Sequence, residues 1–274
     1  MLDIALSNLI SMAFGKFAST PFPPAVQNII NSSYVKIMGL DMSEFEPPES
    51  YKTLNALFTR KLKKERDFSK DETTLISPCD AFVTECGKAV RNRALQIKGF
   101  SYKIDELLTK YVSDEQKKKL YGSEYINLYL SPKDYHRYHA PTDMRVKKAI
   151  YVPGALYPVN FTYLNRIVDL FIKNERVVLE CEDSKKRTFF MVFVGALNVG
   201  KMVFDFDSTI QTNANIKEMK VYRYNDVFLK KGDEIGYFMM GSTVVMFFEK
   251  GMFNLSVSKD IHLKFGDVIG NLNI

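Results

Sequence analysis

YFMMGSTVVMFF, residues 237–248, holds two strongly apolar arms joined by a single turn signal, Gly241-Ser242. The arms, Ile235 to Met240 and Thr243 to Glu249, are too short for independent helices, so they read as buried strands. Taken alone, Gly followed by Ser suits an ordinary two-residue loop, and the pattern predicts a hairpin. The same kind of segment recurs upstream. Ala81 to Glu85, Ile126 to Leu130, Val146 to Val152, Val177 to Cys181 and Thr188 to Gly195 are short runs rich in Val, Ile, Phe and Tyr, bounded by Gly, Pro or Asp. One helix, about Ile104 to Tyr111, interrupts the series.

Before Leu75 the period is helical. Asp3, Ser7, Ser11 and Gly15 recur every four residues, and nearly everything else in residues 1–18 is apolar. That pattern predicts an amphipathic helix with a wide apolar face, suited to docking on the protein's own core or to lying in a membrane interface. TPFPP, residues 20–24, ends it. Further helices are expected from Ala25 to Met38 and around Leu54, Leu57, Phe58 and Leu62. The expected fold class is therefore α+β: a helical, membrane-associating N-terminal part (residues 1–70) packed on a β-rich catalytic body of mostly antiparallel strands (residues 71–274).

The chain has 274 residues, 46% of them hydrophobic, which is enough for a substantial core and argues against disorder. Its net charge of +6 suits an anionic partner, nucleic acid or an acidic lipid surface. The charge lies in short runs (Lys61, Lys63, Lys64 and Arg66; Lys117 to Lys119; Lys185 to Arg187), each of which reads most simply as a solvated face. Cys79, Cys86 and Cys181 are odd in number and widely spaced, so neither a disulfide framework nor a four-ligand zinc site is expected. No uncharged run is long enough to span a bilayer. Asp3 stands where a secretory signal would carry positive charge.

Three places could carry chemistry. LSPKDYHRYHAP, residues 130–141, brings His136 and His139 together where Ser131-Pro132 breaks the preceding strand, so the pair is expected on a turn. H-x-x-H also occurs in metal sites, but no third and fourth ligands are spaced to match. ISPCDA, residues 76–81, places Asp80 at the start of a strand, where a lone Asp is usually a turn-former. Gly241-Ser242 is the third, and it is not the G-x-S-x-G elbow of α/β-hydrolases. Asp80, His139 and Ser242 together offer an orienting carboxylate, a general base and a hydroxyl nucleophile. Residue types alone leave open a self-processing decarboxylase, a serine hydrolase and a non-enzymatic basic binding protein.

LSPKDYHRYHAP resembles the histidine motif of bacterial-type phosphatidylserine decarboxylases almost residue for residue. YVPGALYPVN, KNERVVL and VGALNVGKM are similar to the segments that follow it in that family, in the same order. QIKGFSYKIDELL and SPCDA resemble the preceding segments, and KKGDEIGYFMMGSTVVMFF resembles the family's cleavage segment. The resemblance runs from about Tyr51 to Phe248. Met240 departs from a common Leu, and Ala81 from a common Gly.

The resemblance implies a proenzyme that cleaves itself between Gly241 and Ser242, with Asp80, His139 and Ser242 as the processing triad. Ser242 would become a covalent pyruvoyl group, with no pyridoxal phosphate and no metal. The pyruvoyl ketone would take the serine amine of phosphatidylserine as a Schiff base, and loss of CO2 would yield phosphatidylethanolamine. His136 would act beside the substrate. Implied partners are phosphatidylserine, an anionic membrane surface and the chain's own large and small fragments as a heterodimer. A homo-oligomer is left open, and no nucleic acid is implied. The implied station is the cytoplasmic side of the cell membrane, held peripherally. Gly241 suits the chemistry, because it has no Cβ to block the neighbouring hydroxyl.

Overall fold

The structure is a computed structural model that describes residues 13–97, 99–197, 201–212, 217–239 and 242–273. Of the amphipathic helix expected over residues 1–18, residues 1–12 lie outside the described residues, and residues 13–19 are helical (α1). Two helices follow, α2 (Pro24–Met38) and α3 (Leu54–Phe58). Pro at the first position opens α2, and Gly39, at φ 64, closes it in the left-handed region that glycine adopts without strain. Leu62, expected on the third helix, lies beyond its end, which comes at Phe58.

From Thr74 onward strands dominate. They are β1 (Thr74–Ile76), β2 (Ala81–Lys88), β3 (Arg93–Ile97), β4 (Phe100–Lys103), β5 (Glu124–Leu130), β6 (Arg137–His139), β7 (Met144–Val152) and β8 (Arg176–Glu182). The series continues with β9 (Thr188–Val194), β10 (Met202–Phe204), β11 (Lys220–Leu229), β12 (Glu234–Phe238), β13 (Ser242–Phe248), β14 (Phe253–Leu255), β15 (His262–Leu263) and β16 (Val268–Leu272). Short helices α4 (Ile104–Leu108), α5 (Asp114–Lys119), α6 (Phe161–Leu164) and α7 (Leu170–Lys173) interrupt them.

An eight-stranded sheet in the order β11-β7-β8-β9-β13-β5-β2-β15 forms the centre, and every pairing in it is antiparallel. Both faces are covered, which is why its middle strands are apolar throughout and do not alternate with polar residues. On β13, Val244, Met246 and Phe248 join one core, whereas Val245 and Phe247 join the other. The first core also contains Tyr138, Met202, Phe204, Ile235 and Phe238, from a three-stranded sheet ordered β10-β12-β6. The second is closed by β3, β4 and the short helices, through Tyr102, Leu107, Leu108 and Phe171. The N-terminal part joins the body where Phe45 meets Ile76, Tyr135 and Phe265.

The expected hairpin at Gly241-Ser242 is not formed. β12 pairs with β6 and β10, and β13 pairs with β5 and β9. The arms belong to different sheets. Local pattern shows that both arms are buried strands, but it does not encode their partners.

Candidate active site

One connection between these sheets starts beside Ser242. Ser242, the first residue of β13, pairs with Leu130, the last of β5. From Leu130 the chain turns through residues 131–136 and enters β6, where the Phe238 N–H donates to the His136 carbonyl at 3.0 Å. The loop after β5 therefore runs from the partner of Ser242 on one sheet to the partner of Phe238 on the other. This brings His136 to the junction that carries Ser242. Leu130 belongs to the first core, and directly paired residues share a face, so Ser242 points toward the layer that contains β6 and β12. Gly241 and Met240 lie outside the described residues.

Ser242 is 0% exposed, and its hydroxyl has no hydrogen-bond partner among the described residues. His136 is equally buried. Its Nδ1 donates to the Asp134 carbonyl at 2.8 Å, which fixes the tautomer and leaves the Nε2 lone pair without a partner. The ring lies 3.9 Å from that of Phe58. Burial, reinforced by the nearby charge of Arg60, pushes its pKa down to about 3, so the imidazole is neutral.

His139 sits further along β6, opposite Glu234. The histidines thus flank and end a short strand; they were expected on a turn. The chain reverses at residues 230–233, where Gly232, at φ 88, aims its carbonyl at His139 Nδ1, 2.9 Å away. A Cβ at Gly232 would come within 2.2 Å of the Phe68 ring, so close packing as well as φ requires glycine here. A carbonyl only accepts, so Nδ1 carries the proton and Nε2 takes the Tyr135 hydroxyl at 3.1 Å. Phe265 stacks on the other side at 3.7 Å. Burial pushes the His139 pKa down to about 4. The ring lines a cavity of about 480 Å³ whose rim includes Lys61, Lys70, Lys230 and Lys231.

Asp80 is nearby but otherwise engaged. It accepts from Arg66 at 2.5 and 3.0 Å and from the Phe265 N–H at 2.7 Å. Arg66 also grips Glu44 at 2.8 and 2.9 Å. The direct Asp80–His139 bond expected of a triad is absent, because Arg66 holds the carboxylate and Gly232 holds the imidazole N–H. Ser242 is bonded to neither histidine. The loop from Leu130, the partner of Ser242, leads to His136; Asp80 meets the Phe265 N–H and His139 the Phe265 ring, and the triad is unassembled.

Sequence reasoning missed several participants. Arg66, read as part of a solvated run, has a side chain only 10% exposed and lies between two carboxylates. Lys117, from a second such run, is also buried. Arg60 was not singled out at all. It is 2% exposed, its guanidinium lies 4.4 Å over the Phe45 ring, and one of its nitrogens donates to the Lys133 and Asp134 carbonyls at 2.9 and 3.2 Å. The only signal for Arg60 or Arg66 was position within LFTRKLKKER, where they look like the lysines around them.

Comparison with known proteins gives a consistent result. The family model described as phosphatidylserine decarboxylase matches residues 54–271. The chain is 48% identical to the phosphatidylserine decarboxylase proenzyme of Helicobacter pylori (strain J99) over 271 residues, covering 98% of this chain and 99% of that protein. It is 45% identical to the protein of that name from Campylobacter jejuni, covering 98% and 100%, and 35% identical to the one from Marinobacter nauticus, covering 97% and 94%.

Proposed function

This chain belongs to the phosphatidylserine decarboxylase family, and from that membership we propose that it is made as a proenzyme, cuts itself between Gly241 and Ser242, and then converts phosphatidylserine to phosphatidylethanolamine and CO2. The observation that carries the self-cleavage is the Ser242 hydroxyl, fully buried, without a partner and directly after a glycine. Leaving a hydroxyl unsatisfied in a core costs about 1–3 kcal/mol, and such orphan atoms call for a chemical explanation.

From position 242 the oxygen can close a small ring on the Gly241 carbonyl and exchange the amide for an ester. His139 is the proposed acceptor of the serine proton, through the Nε2 lone pair that Tyr135 now occupies. Asp80 is proposed to stabilise the resulting imidazolium, which requires its carboxylate to turn away from Arg66. Loss of the Ser242 α-proton then expels the Gly241 carboxylate and leaves dehydroalanine. Hydrolysis of that residue releases ammonia and leaves a pyruvoyl group.

The surroundings fit such a group. Position 242 is shielded from water, and the neutral His136, with a free Nε2, is at the same junction. The ketone would supply an electrophile for the substrate amine and a sink for the electron pair that CO2 leaves behind. His136 would move the proton there.

A lipid substrate is supported by a groove of about 430 Å³ between the N-terminal helices and the body, lined by Phe14, Tyr34, Met38, Leu54, Tyr129 and Pro132 among others. Beside it α2 exposes Val26, Ile29 and Ile37, residues that recur along one side of the helix. We place these apolar side chains in the interface of the cytoplasmic leaflet. No helix among the described residues is long and apolar enough to cross a membrane.

The deciding experiment is intact mass and a denaturing gel on wild type and Ser242→Ala. Wild type should give two species, the smaller comprising residues 242–274 with a ketone-bearing, blocked N-terminus, and should decarboxylate phosphatidylserine. Ser242→Ala should remain a single 31.5 kDa chain without activity. A wild-type enzyme that is active while uncut and still carries Ser242 would refute the proposal.

A further inference from the structure

The guanidinium of Arg60 is only half used. One nitrogen donates to the Lys133 and Asp134 carbonyls, whereas Nε and Nη1 are buried with no hydrogen-bond partner among the described residues. A buried cation with unsatisfied N–H groups is costlier than an orphaned neutral group. The Phe45 ring and the fields of Asp80 and Asp134 offset part of the charge, but they leave the two donors unfilled. Burial lowers the pKa of Arg60, yet guanidinium stays charged at any physiological pH.

The location is specific. The Asp134 carbonyl that accepts from Arg60 at 3.2 Å also accepts from His136 Nδ1 at 2.8 Å, so the guanidinium and the imidazole converge on one oxygen. Along the loop, Arg60 holds residues 133 and 134, between Pro132, which lines the apolar groove with Tyr34, and His136. The Tyr34 hydroxyl donates to the Pro132 carbonyl across a long 3.3 Å, and Pro132 adjoins Lys133, whose carbonyl Arg60 holds. Arg60 therefore lies between a groove fit for acyl chains and the junction that holds His136 and Ser242.

We infer that Arg60 is the receptor for the phosphodiester of the substrate, a proposal that rests on the lipid decarboxylation proposed above. The two free N–H groups match the forked recognition of phosphate oxygens. In phosphatidylserine the phosphate lies between the acyl chains and the amino acid, as Arg60 lies between the groove and His136. The substrate carboxylate is the poorer candidate. Its charge leaves during the reaction, and a cation clamped on it would favour the ground state. The phosphodiester keeps its charge throughout, so a cation held against it binds ground state and transition state alike and shows itself in KM.

The test uses self-cleaved enzyme and dihexanoyl phosphatidylserine, with Arg60→Met and Arg60→Lys beside wild type. Both variants should still cleave themselves. Arg60→Met should raise KM at least tenfold with kcat within about threefold, and Arg60→Lys, which keeps the charge without the fork, should fall between. Competitive inhibition by dihexanoyl phosphatidic acid should weaken in step with KM. If Arg60→Met fails to process, Arg60→Lys carries the same comparison. An unchanged KM, or a loss confined to kcat, would overturn the assignment. Absence of turnover in wild type would instead remove the proposed function on which it rests.

Discussion

The two histidines differ in what their second nitrogen meets. In both, Nδ1 is tied to a backbone carbonyl, so each presents Nε2 as a neutral base; His139 offers it to a tyrosine hydroxyl, and His136 to nothing. Their neutrality has a stability consequence. An unfolded histidine titrates near pH 6.5, whereas folding pushes His136 to about 3 and His139 to about 4. Between these values the unfolded chain binds protons that the fold does not, so stability rises with pH there. It is fully present above pH 6.5 and is lost as pH falls toward 4. In an uncleavable Ser242→Ala background, adding His139→Asn should remove one such proton. Its unfolding free energy should then fall less steeply between pH 6.5 and 4, by up to about 1.4 kcal/mol per pH unit, in denaturant titrations at several pH values. Parallel slopes would show that His139 is not held neutral by the fold. The sequence singled out both histidines, Asp80 and Ser242. It could not show what fills each hydrogen bond, because the partners Gly232, Phe265 and Arg66 are distant in the chain and unremarkable in type.

Among the elements, α2 has two unlike sides. Its inner side is fixed by Asn31, which donates to the Pro48 and Tyr51 carbonyls at 2.9 and 2.8 Å and accepts from Gln27 at 2.8 Å. Its outer side leaves Ile29 66% and Ile37 77% exposed, an arrangement that costs nothing in a bilayer interface and is unfavourable in water. Replacing both with Glu should leave thermal stability within about 0.5 kcal/mol, since neither side chain is packed. Co-sedimentation with phosphatidylserine-containing vesicles should drop several-fold. Equal sedimentation would place the membrane contact elsewhere. That α2 is a helix was legible from the sequence, as were the seven strands with strong apolar runs. Two of the strands that escaped notice are of another kind. β11 is an exposed edge strand in which Lys, Arg, Asn and Asp interrupt the pattern, and β6 is only Arg-Tyr-His. Edges do not need an apolar face, and charge helps to prevent stray pairing there. β6 is buried because Arg137 reaches Glu234 and the Thr59 carbonyl, an arrangement that no local pattern encodes.

At the scale of the molecule, the position of the cut matters more than its occurrence. Cleavage before Ser242 would free the start of β13, yet β13 is interior to the eight-stranded sheet, bonded to β9 on one side and β5 on the other. Downstream of it, β15 pairs with β2, and β16 lies between β1 and β14. The small fragment therefore threads three separate regions of the large one. On β13 alone, Val244, Val245, Met246, Phe247 and Phe248 are fully buried; at about 1.5–3 kcal/mol each, their burial contributes on the order of 10 kcal/mol. Severing one peptide bond at the mouth of the sheet removes none of these contacts. The two fragments should consequently co-elute in size-exclusion chromatography without denaturant, even after long dilution, and should melt in a single cooperative transition. Only conditions that unfold the central sheet should part them, so activity and the small fragment should disappear together across a urea series. Release of residues 242–274 from an otherwise folded body at low urea would mean that β13 is not the interior strand described above.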